Sequence, residues 1–181
     1  MRFATKEITL AALFVAFIAI GAYIKIPFGS YVYTLQFFFT LMAGLVLGAK
    51  LGAFAVLVYV LMGLVGIPVF TSGGGPQYVL NPTFGYLIGF IIQAYVGGKF
   101  SRNIKIPNFK KLFAVNLIGL VIVYVLGISW FYAASNYILN TPISAWAAIF
   151  YCGIVQIPPD LLLAAAAARI GLKLYRAGFW I

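Results

Sequence analysis

Six stretches of the sequence are apolar over close to the length that crosses a lipid bilayer, and they constrain the fold more than any other feature. A transmembrane helix needs about 20 mostly apolar residues. The stretches cover residues 8–24, 35–49, 51–69, 83–98, 112–132 and 143–174. We expect the first to be retained as a helix, since no clear small-x-small cleavage site follows it. The sequence predicts an all-α integral membrane protein, a six-transmembrane-helix bundle that forms one domain over residues 1–181.

Two of these stretches carry a predicted break or turn. The stretch 143–174 is too long for one straight crossing, and Pro158-Pro159 interrupts it. Because proline breaks the hydrogen bonding of a helix interior, we expect a kink there or a short surface helix before the crossing. Only residues 48–52 separate the second stretch from the third, which predicts a tight turn.

The composition excludes a water-soluble domain. Of the 181 residues, 65% are apolar and 8% are charged, whereas soluble domains are nearer half apolar and a quarter charged. The formal net charge is +10, which in a soluble protein would favour nucleic-acid binding. In a membrane protein, an excess of Lys and Arg is instead typical of the cytoplasmic side. We therefore expect no nucleic-acid partner.

The distribution of cations predicts the topology. With the N-terminus inside and six crossings, all the Lys and Arg residues except Lys25 fall on the cytoplasmic side. Both termini are then cytoplasmic. The outer loops cover about residues 25–34, 68–82 and 133–144, and one span more or fewer in the middle of the chain would destroy this pattern.

Few residues are available for chemistry. The sequence has no histidine, a single cysteine and two acidic residues, Glu7 and Asp160. A carboxylate pair, a histidine dyad, a metal cluster and a nucleotide-binding loop are all missing, which predicts no catalytic residues, no metal, no cofactor and no enzyme. The chain alone cannot hydrolyse ATP. A proton-coupled carrier stays open, with Asp160 as its titrating group, although one broken segment is found where inverted-repeat transporters have two.

Asp160 is the most informative residue, because a charge inside a bilayer is costly and marks a functional site by default. It lies 16 residues before Arg176. At 1.5 Å per residue this is about 24 Å above the inner surface, in the outer half of the membrane. Asp160 also directly follows Pro158-Pro159, so its carboxylate either caps a broken helix or binds a ligand in an outward-facing cavity.

The predicted second outer loop contains a glycine-rich segment, residues 71–77. Gly73, Gly74 and Gly75 give the backbone access to positive φ and expose N–H groups to a bound molecule, so the segment is either a lid over a ligand or a bare connector. Asn81-Pro82-Thr83 is typical of a helix start. The Asn81 side chain either caps that helix or faces a ligand, and the span residues Gln36, Gln93, Asn116 and Gln156 have similar alternatives.

Small residues recur four apart in three spans. The pairs are Ala12 and Ala16, Gly44 and Gly48, and Gly85 and Gly89. In lipid such spacing lets two helix backbones approach closely. The pairs either pack helices within the chain or, for Ala12 and Ala16, dock a partner membrane subunit, and the spacing alone does not choose between these.

Several motifs in combination strongly resemble the BioY family. They are residues 34–36 (TLQ), 41–52 (LMAGLVLGAKLG), 64–70 (LVGIPVF), 81–90 (NPTFGYLIGF) and 158–160 (PPD). BioY proteins are the biotin-binding substrate (S) components of energy-coupling factor (ECF) transporters. The resemblance implies a multi-pass protein of a prokaryotic plasma membrane that captures biotin from outside. It also implies a transmembrane coupling subunit, EcfT, and two cytoplasmic ABC ATPases as partners.

The resemblance also implies roles for individual residues. Ala12 and Ala16 match a small-residue stripe that contacts the coupling subunit. Asp160 matches an aspartate that binds the ring head of biotin, and Asn81 is a further candidate for that contact. The family commonly has a lysine at the position of Leu163, so one hydrogen bond to the ligand's ureido oxygen is missing here. Either another donor such as Asn81 or Gln36 substitutes, or the ligand is lipoate, which has no urea.

We therefore predict a biotin-type S component with the ring head held by Asp160 and Asn81 and covered by the glycine-rich segment. The aromatic residues expected to stack on the ligand are Phe70, Tyr78, Phe84 and Tyr86. The ligand carboxylate is expected at backbone N–H groups of the segment or at Lys25. The same machinery for lipoate or a similar ring-bearing acid is the first alternative; a stand-alone proton-coupled carrier or channel, and a scaffold without a ligand, are the others.

Overall fold

The computed structural model describes residues 4–28 and 31–180, and most of them are helical. The helices are α1 (Thr5–Tyr23), α2 (Gln36–Leu64), α3 (Phe84–Arg102), α4 (Phe109–Ala133), α5 (Ala145–Cys152) and α6 (Ile157–Arg176). Short helical turns cover Pro76–Leu80, Ala134–Ile138 and Ile154–Gln156. Strands β1 (Lys25–Phe28) and β2 (Tyr31–Thr34) pair antiparallel.

Helix α2 reverses direction at Gly48 and consists of two antiparallel arms. Gly48 has φ of +76°, which only glycine adopts at no steric cost. Across the turn, a Cβ on Gly52 would lie 2.7 Å from the carbonyl oxygen of Ala43. The Gln36 amide reaches the Tyr59 hydroxyl at 3.3 Å, whereas 23 residues of straight helix would span about 35 Å. The predicted turn between the second and third stretches is therefore confirmed.

The glycine pairs are used where helices meet inside the chain. Gly89 lies against Val123 and Gly85 against Trp130, so both bring α3 close to α4. Gly44 lies against the carbonyl of Ala94, which brings the first arm of α2 close to α3. A side chain at these glycines would force the backbones apart, because the gaps leave no room for a Cβ.

The C-terminal stretch is divided as its prolines predict. The short helix α5 ends at Cys152, a turn follows, and α6 begins with Pro158 and Pro159 in its first turn. Proline is tolerated there because the first N–H groups of a helix have no partner within it. The prediction of a short helix before the crossing is confirmed. The side-chain amide of Asn116 donates to the carbonyl of Ala164 at 2.8 Å and ties α4 to α6.

The strand pair was not predicted from the sequence, which indicated only an outer loop at residues 25–34. Its register places Lys25 opposite Thr34 and Ile26 opposite Tyr33. The strands have four residues each, which is too short for an alternating pattern to stand out. The strand pair leads the chain from α1 directly into α2.

Large apolar side chains are exposed on the surface of the helix bundle. Leu162 is 73% exposed and Val125 is 60% exposed. Exposure of such side chains is unfavourable in water but not in lipid. Among the described residues, four helical segments are long and apolar enough to span a membrane: Thr5–Tyr23, Gln36–Leu64, Phe109–Ile138 and Ala145–Arg176. Helix α3 is not one of them, because its glycines, Gln93, Lys99 and Arg102 lower its hydropathy. The chain is an all-helical, multi-pass membrane protein apart from the strand pair.

Candidate functional site

A cavity of about 180 Å³ opens between β2, α2, α3, α4 and the start of α6. This volume is below the roughly 300–1,000 Å³ of typical ligand pockets, so it suits a small molecule or part of one. Five residues predicted as ligand contacts line it: Gln36, Phe70, Tyr78, Tyr86 and Asp160. Helix packing thus brings together side chains that are up to 124 positions apart in the sequence.

Asp160 supplies the one carboxylate of this cavity wall. The residue lies in the first turn of α6, and its Oδ2 accepts a hydrogen bond from the Tyr124 hydroxyl at 2.7 Å. Gln156 occupies the N-cap position of α6, and no side-chain cap is formed there. Asp160 is therefore not the N-cap of α6, and its carboxylate lies at the cavity wall, bonded to a side chain of another helix.

Two further predicted contacts are held by hydrogen bonds at the cavity wall. Gln36 donates to the hydroxyl of Tyr59, which itself donates to the carbonyl of Val69 at 2.9 Å. The hydroxyl of Tyr86 donates to the carbonyl of Cys152 at 2.8 Å. These bonds hold both side chains in place at the cavity wall.

An aromatic pair forms another part of the wall. The ring centres of Phe70 and Tyr78 are 4.4 Å apart. The Tyr78 hydroxyl lies 3.2 Å from Oγ1 of Thr71 and 3.3 Å from Oγ1 of Thr83. The pair combines an apolar face with hydroxyl groups, so it suits a ligand that is partly apolar and partly polar.

The glycines of the predicted lid do not line the cavity. Gly73 and Gly75 have φ of +107° and +115°. Their N–H groups donate to the carbonyls of Phe70 and Gly63, at 3.2 and 2.7 Å. Gly73, Gly74 and Gly75 are absent from the lining residues, whereas Thr71 of the same segment lines the cavity. The segment is folded onto the end of α2, and two of its N–H groups are already occupied.

Asn81 is not brought into the cavity lining. Its Oδ1 accepts hydrogen bonds from the backbone N–H and the hydroxyl of Thr83, at 2.9 and 2.8 Å. Its carbonyl accepts from the indole N–H of Trp130. Phe84 packs against the same Trp130 ring and does not line the cavity. Asn81 therefore shapes the start of α3 and places Thr83 at the cavity.

Sequence reasoning missed the hydrogen-bond partner of Asp160. Tyr124 lies within the apolar stretch 112–132, and nothing in its neighbourhood distinguishes it from the other aromatics of the chain. The sequence marks Gln156 only as a polar residue within a span, yet it lines the cavity four residues before Asp160. The signal available was a polar side chain one helical turn from the carboxylate.

Ala12 and Ala16 differ from the glycine pairs, since both are exposed on α1. Ala12 lines an apolar groove between α1 and the second arm of α2. The groove residues are Ile8, Ala11, Ala12, Val15, Leu51, Phe54, Ala55 and Val58. This stripe of small residues is left open by the helices of the chain itself.

The helical membrane fold and its small, partly polar cavity define a membrane-embedded binding component. A crystal structure of "the S-component for biotin from an ECF-type ABC transporter" matches 97% of this chain and 95% of its own, with a TM-score of 0.83 and 27% identity. The family model described as "BioY family" matches residues 1–178. The chain belongs to the BioY family.

Named relatives agree with this assignment. A protein of Lysinibacillus sphaericus named "Probable biotin transporter BioY" is 43% identical over 95% of this chain and 88% of its own length. A protein of the same name from Pyrococcus horikoshii is 37% identical over 93% of this chain and 96% of its own. The resemblance found in the motifs is confirmed. The relatives are named as transporters, and the chain is a transport protein and not an enzyme.

Proposed function

We propose that this chain is the S component of an ECF-type importer that captures biotin at the extracellular side of a prokaryotic plasma membrane. The observation that carries the proposal is the Asp160 carboxylate on the wall of a small cavity, fixed by Tyr124 at 2.7 Å. A carboxylate accepts hydrogen bonds from N–H groups, and the ureido ring of biotin has two. The relatives named above support the same ligand.

The topology proposed for this function has six crossings. They are α1, the two arms of α2, α3, α4, and the segment that ends in α6. Because the chain reverses at Gly48, α2 counts twice, and both termini then lie on the cytoplasmic side with nearly all cations. The cavity opens toward the opposite side, beside β2, where an extracellular ligand enters.

The apolar part of biotin is proposed to lie against Phe70 and Tyr78, with Gln36 and Tyr86 beside the polar ring. Lys25 is proposed as a partner of the ligand carboxylate, since its backbone pairs with that of cavity-lining Thr34. The glycine-rich segment, including Gly73, Gly74 and Gly75, is proposed to hold the cavity wall at Thr71 against the bound ligand, and Asn81 to contribute through the position of Thr83.

The energy for transport is proposed to come from partners. The chain has no residues that could hydrolyse ATP, so we propose that EcfT and two cytoplasmic ABC ATPases drive release of the ligand inside. The groove beside Ala12 is the proposed contact for EcfT, with Ala16 one turn further along α1. Small side chains at this position let a partner helix approach the α1 backbone closely.

Binding measurements on the purified chain in detergent test the ligand. Isothermal titration should give one biotin per chain with affinity far tighter than for lipoate. Leu163 packs partly buried against the core, and its hydrocarbon side chain has no donor for a ureido oxygen, which favours lipoate as the second candidate. Tight lipoate binding with micromolar or weaker biotin binding would overturn the biotin assignment in favour of lipoate.

Transport measurements test the mechanism. Vesicles that contain this chain together with EcfT and the ATPases should take up biotin only when ATP is supplied. Vesicles that contain this chain alone should not take up biotin in response to a pH gradient. Uptake by the chain alone under a pH gradient would indicate a proton-coupled carrier and contradict the proposal.

A further inference from the structure

The two oxygens of the Asp160 carboxylate have different surroundings. Oδ2 accepts the hydroxyl proton of Tyr124 at 2.7 Å. Oδ1 makes no hydrogen bond within residues 4–28 and 31–180, although Asp160 lines the cavity. Tyr124 is itself largely buried, at 9% exposure, and lines the same cavity. The pair therefore leaves one carboxylate oxygen for a bound molecule.

The phenol group of Tyr124 determines which hydrogen-bonding groups the Asp160–Tyr124 pair presents to a ligand. A tyrosine hydroxyl carries a single proton, and here that proton is given to Asp160. The groups left at this point of the cavity wall are the lone pairs of Oδ1 and of the phenol oxygen, and all of them are hydrogen-bond acceptors. A ligand group that fills this end of the cavity must therefore bring N–H or O–H donors, or it leaves a buried acceptor unpaired at a cost in affinity.

A donor lies one helical turn away. Gln156 occupies the N-cap position of α6, four positions before Asp160, and lines the same cavity. Within the part of the chain that the structure describes, its side-chain amide makes no hydrogen bond. The amide supplies N–H groups for a carbonyl oxygen. An acceptor and a donor next to each other match a ring in which N–H and C=O are adjacent.

We propose that Tyr124 is a positioning residue that fixes Asp160 as an acceptor, so that the site selects ring heads with N–H groups beside a carbonyl, which Gln156 contacts. The inference rests on the proposed function and deepens it. The cyclic urea of biotin has this arrangement, and the disulfide ring of lipoate has no N–H group at all. Tyr124 and Gln156 together thus decide between the two ligands named above.

A double-mutant cycle on biotin binding tests the role of Tyr124. By isothermal titration, Tyr124→Phe should raise the Kd for biotin roughly tenfold, the size expected for one hydrogen bond to a charged group. In an Asp160→Ala background, Tyr124→Phe should change the Kd less than twofold, because its partner is gone. Equal effects in both backgrounds would show that the hydroxyl acts on packing alone and would overturn the proposal.

Two controls separate binding from folding. Tyr95→Phe removes a hydroxyl from the exposed face of α3, outside the cavity, and should leave the Kd unchanged. Thermal unfolding in detergent should show Tyr124→Phe folded at the titration temperature.

Gln156→Leu tests the assigned contact of Gln156. It should weaken biotin binding severalfold and leave thermal unfolding unchanged, and an unchanged Kd for biotin would contradict that contact.

Binding of modified ligands to the unmodified chain tests the inference without any protein variant. A cyclic-carbonate analogue of biotin, in which oxygen replaces both ureido N–H groups, should bind at least tenfold more weakly. Oxybiotin, in which only the ring sulfur is changed, should bind within a few-fold of biotin. A cyclic-carbonate analogue that binds as tightly as biotin would overturn this inference, whereas failure of biotin itself to bind would overturn the proposed function.

Discussion

The guanidinium carbon of Arg102 lies 4.4 Å from the ring centre of Trp180, so the end of α3 is joined to the C-terminal residues by a cation–π contact. The same guanidinium donates to the carbonyls of Leu45 and Val46, at 3.1 and 2.9 Å. These carbonyls lie in the last turn of the first arm of α2, where a cation is favourable. Arg102 therefore links three segments at one end of the bundle.

Removal of this link is predicted to destabilise the fold. Arg102→Ala should cost about 1–2 kcal/mol in the free energy of unfolding, since it removes two hydrogen bonds and the ring contact. Lys99→Ala removes a cation from the exposed surface of the same helix end and serves as the matched control. Thermal unfolding in detergent should show a lower midpoint for Arg102→Ala only. Equal midpoints for the two variants would contradict the structural role of Arg102.

Neutralisation of the cavity carboxylate is predicted to weaken ligand binding. Asp160→Asn should reduce biotin affinity by roughly 1–3 kcal/mol, because a charged acceptor for the ligand becomes an amide. Glu7→Gln is the control, since Glu7 is the other acid of the chain and bonds the backbone N–H of Ala4 on α1. Titration calorimetry on both variants checks the prediction. An unchanged affinity in Asp160→Asn would assign the residue a purely structural role.

Larger side chains in the α1 groove are predicted to separate binding from transport. Ala12→Leu or Ala16→Leu should leave biotin affinity unchanged and abolish ATP-driven uptake, because leucine blocks the close approach of a partner helix. Ala114→Leu places the same side chain on the exposed face of α4 and should leave uptake intact. The measurement is radiolabelled uptake in vesicles with the complete transporter. Normal uptake in both α1 variants would exclude this groove as the docking surface.

The contact between the glycine-rich segment and the end of α2 is predicted to hold one wall of the cavity in place. A Cβ on Gly74 would collide with the carbonyl oxygen of Ile67 and lie 3.0 Å from that of Gly63. Since backbone atoms cannot move aside cheaply, Gly74→Ala should lift the segment, displace the wall around Tyr78 and reduce biotin affinity severalfold.

Gly66→Ala is the control for this substitution. Gly66 has φ of +107° but open space around it, so alanine there introduces backbone strain of about 1–3 kcal/mol without a collision. The variant should have a lower unfolding midpoint and unchanged biotin affinity. If Gly66→Ala weakened binding as much as Gly74→Ala, loss of global stability would explain both results.

The helices were predictable because apolar length and turn chemistry are local properties. The turn at Gly48 and the prolines in the first turn of α6, which begins at Ile157, are features that glycine and proline indicate locally. The strand pair was not predictable to the same degree, since each strand is only four residues long. Its pairing depends on how α1 and α2 approach each other, which no local pattern encodes.

The candidate site was predictable only in part, for a related reason. Asp160 stands out because an acid within an apolar stretch is rare, and Gln36 stands out as a span amide. Tyr124 does not stand out, because the local sequence around a tyrosine in an apolar stretch is the same whether its side chain contacts lipid or a carboxylate. Asn81 shows the opposite case, since the N-cap of α3 is Thr83 instead of the predicted Asn81, and the absence of Asn81 from the cavity wall depends on the direction of its side chain.

The central claim is that the Asp160 cavity holds the ring head of biotin, and a crystal structure of the chain with biotin tests it most directly. The account predicts biotin in the cavity with a ureido nitrogen about 2.7–3.2 Å from Oδ1 of Asp160 and the Tyr124 bond to Oδ2 retained. Biotin bound elsewhere, or bound with the ureido ring turned away from Asp160, would contradict the claim.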